Sequence, residues 1–277
     1  MHVVANGIRF EVIDEGDGPP VLLLHGFPDS AALWRHQIPA LRTAGYRVNA
    51  PDLRGFGGSD RPADPAGYTM PTLIADVLGI LEARGVERTA VIGHDWGAAL
   101  AWALGSAAPQ VVDRLAVLSV GHPAGFFTDQ VTQRERSWYM LFFQFPGVAE
   151  EALRRDDWAL WRILFGPHGD LDRYLVDLDR PGALTAALNW YRANMPPVAF
   201  GMVSRRPATP VRCPVLGLWS DGDHHCGEAQ MLASEQHVVG SWRYQRVTGA
   251  SHWLPLDAPA EVNRLLIEFL DEGRSAR

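Results

Sequence analysis

Apolar positions follow two rhythms along the first third of the chain. The apolar run at 21–24 reads as a buried strand, 46–50 and 89–92 read as further short strands, and helical spacing at 31–43, 72–83 and 98–104 alternates with them. That order predicts parallel strands joined by crossover helices. Ahead of them, Val3-Val4 and residues 8–13 flank Asn6-Gly7, a turn pair that closes an antiparallel hairpin. Residues 51–62, rich in Gly, Asp and Pro, predict a loop. The alternation returns later, with strands at 115–120, 213–219 and 243–247 and helices at 228–236 and 259–270. Between 122 and 206 the chain is aromatic and helical in its spacing, predicts no parallel strand, and is closed by Pro196-Pro197 and Arg205-Arg206-Pro207. An interruption of this kind predicts an inserted helical cap over 122–206, between core segments 1–121 and 207–277. The expected fold class is α/β: a mostly parallel central sheet with helices on both faces.

Composition removes several classes of function. A chain of 277 residues can bury ~75% of the surface its unfolded form exposes, so it needs no staples. The longest aliphatic run, Val21-Leu22-Leu23-Leu24, falls far short of the ~20 residues a membrane helix requires. Residues 1–11 show neither a basic leader nor an apolar stretch, so no secretory signal is expected. Cys213 and Cys226 make no disulfide framework, which points to a reducing, cytoplasmic setting. A net charge of −7 leaves no basic footprint for nucleic acid. All 25 basic residues are arginine, so neither a Schiff-base lysine nor a phosphate-loop lysine exists.

The chemistry concentrates in one turn. Gly93-His94-Asp95-Trp96-Gly97 follows the strand at 89–92 and precedes the helix at 98–104. A reactive residue flanked by glycines between strand and helix is the nucleophile-elbow arrangement. The turn leaves no room for neighbouring side chains, and the helix N-terminus favours negative charge. The central residue is Asp95, which can act as a carboxylate nucleophile and form an ester with an electrophilic carbon. The bland alternative is an aspartate that only caps the helix.

With these residues in view the chain resembles the α/β-hydrolase family, specifically its epoxide hydrolase branch, over nearly its whole length. His25-Gly26-Phe27-Pro28 is similar to that family's oxyanion loop, Arg54-Gly55-Phe56-Gly57-Gly58-Ser59 to the loop after the next strand, and Gly93 to Gly97 to the elbow. Gly249-Ala250-Ser251-His252-Trp253 is similar to the catalytic histidine loop. The resemblance implies an inserted cap, no cofactor, and backbone N–H groups of Phe27 and Trp96 as the oxyanion hole.

An ester on Asp95 needs a base to activate water. Of ten histidines, His252 sits in a small-residue loop after the last strand, where the sheet's carboxyl edge returns to the site. His25 and His94, in tight turns, read as structural, and His2, His36 and His237 as surface residues. A base histidine needs an acid to fix its tautomer, and both Asp221 and Asp223 follow the strand at 213–219. The family's Trp–x–x–x–Asp register, here from Trp219, selects Asp223. His224-His225-Cys226 invites a metal reading, but no second ligand cluster accompanies it, so no metal is expected.

Epoxide and halide chemistry differ in the leaving group. A ring-opened epoxide keeps its oxygen, which must be protonated, and a phenol of pKa ~10 is a suitable donor at neutral pH. Tyr139, in Trp138-Tyr139-Met140-Leu141-Phe142, and Tyr191, in Leu188-Asn189-Trp190-Tyr191-Arg192, stand in contexts similar to the cap tyrosines of epoxide hydrolases. Tyr174 matches nothing there and reads as packing. Phe27 occupies the place where many haloalkane dehalogenases carry asparagine or glutamate, whereas Trp96 occurs in both groups. The expected activity is conversion of a small apolar epoxide and water to a vicinal diol. Haloalkane dehalogenation by the same Asp-His-Asp set is the alternative, and a non-catalytic binding protein of this fold the more distant one. Trp138, Phe142 and Trp190 are candidates for contacting substrate, with Trp158 and Trp161 adding to an apolar cap. The expected partners are the substrate and water, with no nucleic acid and no membrane, and the assembly could be a homodimer.

Overall fold

The computed structural model describes residues 1–127, 131–166, 170–201 and 209–274. His168, the closing Arg205-Arg206-Pro207 and the expected 206/207 boundary lie outside the described residues. Eight strands form one sheet: β1 (His2–Ala5), β2 (Ile8–Glu15), β3 (Pro20–Leu24), β4 (Arg47–Pro51), β5 (Thr89–His94), β6 (Val112–Leu118), β7 (Val215–Ser220) and β8 (Trp242–Val247). Their order is β1-β2-β4-β3-β5-β6-β7-β8. The β1–β2 and β2–β4 pairs are antiparallel and the others parallel. The Asn6-Gly7 turn has both residues at positive φ, as a two-residue hairpin that follows strand twist requires.

Helices α1 (Gln37–Thr43), α2 (Met70–Ala83) and α3 (Trp96–Ala107) follow β3, β4 and β5. After β6 come α4 (Val131–Arg136), α5 (Trp138–Phe142), α6 (Val148–Phe165), α7 (Leu171–Asp179), α8 (Ala183–Asn194) and α9 (Pro197–Gly201). Then α10 (Glu228–Leu232) separates β7 from β8, and α11 (Leu254–Asp257) and α12 (Pro259–Arg274) end the described chain. Packing of α1 on α12 and of α2 on α3 covers the two faces of the sheet. Among the described residues no helix is long and apolar enough to cross a membrane.

Three expected boundaries shift for identifiable reasons. The helix expected over 31–43 divides into a short 3₁₀ turn, Ala31–Trp34, and α1. Pro39 has no N–H to give to a carbonyl one turn back, but it fits within the first turn of a helix that starts at Gln37. The strand expected from 213 opens at Val215, just after Pro214, which cannot donate to a ladder. The helix expected over 228–236 is α10 followed by a second 3₁₀ turn, Ala233–His237.

Strand β3 pairs with β4 on one side and β5 on the other, so the connections leaving β3 and β5 diverge above the sheet. In an open parallel sheet, ligands sit in the crevice outside the strand carboxyl ends at such a switch point. Residues 25–28 after β3 and 95–97 after β5 line it. The helices between β6 and β7 are tied down over that edge by polar contacts. Tyr174 donates to buried Asp29 at 2.7 Å, Arg173 pairs with the same carboxylate at 2.6 Å, and the Trp190 indole donates to the Arg54 carbonyl at 2.9 Å. Tyr174, read as packing from sequence, is therefore also a polar tie.

Candidate active site

Chain direction reverses sharply at Asp95, which adopts φ 53° and ψ −122°, a conformation a non-glycine residue holds at a cost of ~1–3 kcal/mol. The reversal is possible because its neighbours lack side chains. A Cβ on Gly97 would lie 2.0 Å from the Leu24 carbonyl oxygen, and one on Gly26 would lie 2.4 Å from the Asp95 side chain. This close approach aims the Phe27 N–H at Asp95 Oδ1, at 2.8 Å, and the Trp96 N–H also serves that carboxylate. The other oxygen, Oδ2, faces His252 Nε2 at 3.4 Å.

His252 Nδ1 bonds Asp223 Oδ2 at 2.8 Å, and Asp223 Oδ1 accepts the N–H groups of His225 and Cys226, each at 2.8 Å. Asp221 lies elsewhere: its exposed carboxylate accepts the Gly249 N–H at 2.7 Å and holds the loop before His252. Burial opposes charge on all three members of the Asp95–His252–Asp223 chain. For His252 the nearby Asp223 and Asp95 carboxylates outweigh that burial and raise its pKa to about 10. For Asp223 and Asp95, burial is outweighed by the His252 charge and by N–H donors, so both stay below the ordinary carboxylate value. The two carboxylates thus favour the charged form of the imidazole between them.

His25 and His94 are structural, as expected. His25 Nε2 accepts the Leu53 N–H at 2.9 Å. His94 Nε2 bonds the His252 carbonyl at 2.8 Å, and Ser119 Oγ donates to the same oxygen at 2.7 Å, so both anchor the histidine loop. His237 departs from the surface reading: it is half-buried and stacks on His122 with ring centroids 4.2 Å apart.

Tyr139 on α5 and Tyr191 on α8 are both buried, with ring centroids 6.1 Å apart. The Tyr191 ring also meets Trp96 edge-on with centroids 5.1 Å apart, and both tyrosines lie within the field of Asp95. Burial raises both phenol pKa values well above the ordinary value, so they remain neutral donors.

An apolar cavity of about 800 Å³ opens beside Asp95, Trp96 and Tyr191. The structure corrects the three substrate-contact candidates, placing them, and Tyr139 with them, outside the residues that line it. Trp138 is half exposed, Phe142 packs against Trp138 and Phe143 at the side, and Trp190 is buried with its indole spent on Arg54. Apolar character at helical spacing marks a packed face without saying whether it meets a cavity or another helix. The wall is formed instead by Ala99, Trp102, Ala103 and Ser106 on α3, with Met140 and Met195 opposite, residues that sequence reasoning missed. Their only signal was the run of small residues on one face of the helix leaving the elbow.

Among the described residues, Asp223, Cys226 and His252 bring potential metal-ligand atoms within 4.8 Å of one another. Asp223 and His252 already spend those atoms on each other, and burial raises the Cys226 thiol pKa well above its ordinary value. His224 is exposed on the outside of the same turn.

Residues 19–259 match the family model described as alpha/beta hydrolase fold. The chain is 36% identical to the AB hydrolase superfamily protein YfhM of Bacillus subtilis, covering 98% of this chain and 97% of that one. It is 33% identical to epoxide hydrolase A of Mycobacterium tuberculosis, with 97% and 96% covered. It also resembles, with a TM-score of 0.85, 25% identity and 98% and 100% covered, a mutant epoxide hydrolase from Bacillus megaterium solved with its diol product, (R)-3-[1]naphthyloxy-propane-1,2-diol.

Proposed function

The chain belongs to the α/β-hydrolase fold family, in the group of epoxide hydrolases, and from that premise we propose that it converts a small apolar epoxide and water to a vicinal diol through an ester on Asp95. The observation that carries this reading is the pair of buried, neutral phenols with neighbouring rings, held within the field of a carboxylate whose far oxygen faces a histidine. We assign 122–206 as a cap over core segments 1–121 and 207–277, since Tyr139 and Tyr191 both come from its helices.

Asp95 Oδ2 attacks an oxirane carbon. A carbon–oxygen bond forms, the ring bond breaks, and the departing oxygen takes a proton from Tyr139 or Tyr191. Esterification removes the charge of Asp95, leaving His252 with one carboxylate partner, while burial still favours its neutral form. The proton that His252 then sheds is returned to the phenolate, so the phenol is restored before water attacks. Neutral His252, oriented by Asp223, draws a proton from water, and the hydroxide adds to the carboxyl carbon of Asp95. Phe27 and Trp96 N–H groups stabilise the oxyanion, where one such donor is worth ~3 kcal/mol. Collapse releases the diol and restores ionised Asp95 beside protonated His252.

The dehalogenase alternative needs side-chain N–H donors to cradle a halide, and Phe27 brings only an apolar ring, edge-on to Tyr191 at 5.2 Å. The binding-protein alternative has no missing catalytic role to support it. Matched panels of epoxides and haloalkanes test the proposal: diol should form, with halide release at background. Halide release faster than diol formation would overturn it.

A further inference from the structure

We propose that the site is shaped for terminal epoxides bearing one long apolar substituent, an inference that rests on the epoxide hydrolase reading above. Asp95, Trp96 and Tyr191 lie at one end of the cavity of about 800 Å³. From there Ala99, Ala103 and Ser106, spaced at four and three residues on one face of α3, carry the wall away from the nucleophile. At ~1.5 Å rise per residue, Trp96 to Ser106 spans ~15 Å, room for an extended alkyl chain or an aryl ether. Asn194, on the wall, spends its side chain on Met70, Tyr68 and Trp190, so it leaves little polarity for a substrate to match.

Among the described residues the Phe27 side is packed with aromatic rings. The Phe27 ring meets Trp161, Phe165 and Phe143 at centroid distances of 5.4, 5.6 and 5.8 Å, and none of these four rings lines the cavity. An oxirane set against Asp95 thus finds its roomiest path for a substituent along α3. The unsubstituted carbon faces Asp95 Oδ2: the new ester bond forms there, the ring bond at that carbon breaks, and the oxygen stays on the substituted carbon and takes its proton from the phenols. The configuration of the substituted carbon is retained.

The test compares terminal decene oxide, its isomer with the ring at mid-chain, and propylene oxide. Wild-type enzyme should prefer the terminal over the mid-chain isomer by about 100-fold in kcat/KM. In heavy-oxygen water over many turnovers, label should accumulate on the terminal carbon of the diol. Ala103→Trp, which narrows the arm midway, should lower the decene oxide to propylene oxide ratio by about 100-fold, and the milder Ala103→Leu by about 10-fold. Equal rates for the two decene oxides, label on the substituted carbon, or ratios unmoved in both variants would overturn the inference. Absence of hydrolysis of all three epoxides by wild type would overturn the epoxide reading itself, and this inference with it.

Discussion

Removing the phenols isolates the ring-opening step. Tyr139→Phe and Tyr191→Phe delete only an oxygen from side chains that are buried and ringed by aromatic neighbours, so the packing that places them stays. The oxirane oxygen would otherwise develop its charge in an apolar cavity. A hydrogen bond to a charged group is worth ~1.5–3 kcal/mol, which is ~10–150-fold in rate for each phenol. Since the two phenols neighbour one another, either can partly cover for its partner. The single variants should lose about 10–100-fold in alkylation of Asp95, and the double variant about 10⁴-fold, the upper range for general acid assistance. Burial keeps both phenols neutral, so alkaline buffer below pH ~10 should not reproduce the loss. Single-turnover stopped flow, following fluorescence of Trp96 beside the nucleophile, reports alkylation. Hydrolysis of a preformed ester should change by less than about 3-fold, because His252 governs that step. Full alkylation rates in the double variant, or equal damage to both steps, would refute the assignment.

Other consequences follow from the same geometry. Asp223→Asn puts an amide against His252 Nδ1 and should cost about 10⁴-fold in deacylation, whereas Asp221→Asn, which touches only the Gly249 N–H, should cost less than about 3-fold; stopped-flow deacylation rates decide, and the reverse order would reassign the acid. The His252 pKa is raised from 6.5 to about 10, so its contribution to stability is fully present below 6.5 and is lost as pH rises through about 10. Thermal melts should therefore show Tm falling across that alkaline window, and falling at lower pH in Asp223→Asn. An unchanged Tm profile in that variant would mean that Asp223 does not hold the proton.

Much of the core was legible because its signals are local. The run Val21-Leu22-Leu23-Leu24 and the elbow glycines each answer to a steric or solvation rule that acts within a few residues, and β3 and the Asp95 turn lie where those rules put them. The Asp95–His252–Asp223 chain spans β5, β7 and β8, each member beside its own strand terminus. Strand order left the acid open between Asp221 and Asp223, and only the family resemblance chose Asp223, which the structure sets 2.8 Å from His252. The cap was less legible. Trp138, Phe142 and Trp190 have the same aromatic character as Tyr191, and only the folded cap sets Tyr191 on the cavity, buries Trp190 against Arg54 and leaves Trp138 half exposed. The small residues of α3 form the wall because a helix held close to the sheet at Gly97 leaves space opposite, a tertiary consequence with almost no sequence signature. His225, stacked at 5.6 Å on Phe165 with its N–H on Asp223, was likewise visible only after folding.

The covalent ester on Asp95 is the central claim, and His252→Gln tests it most directly, since glutamine cannot act as the base that removes the ester. Incubation of that variant with an epoxide, followed by digestion and mass spectrometry, should show one substrate equivalent on the peptide that contains Asp95, with no diol accumulating. Normal turnover with an unmodified Asp95 peptide would contradict the account.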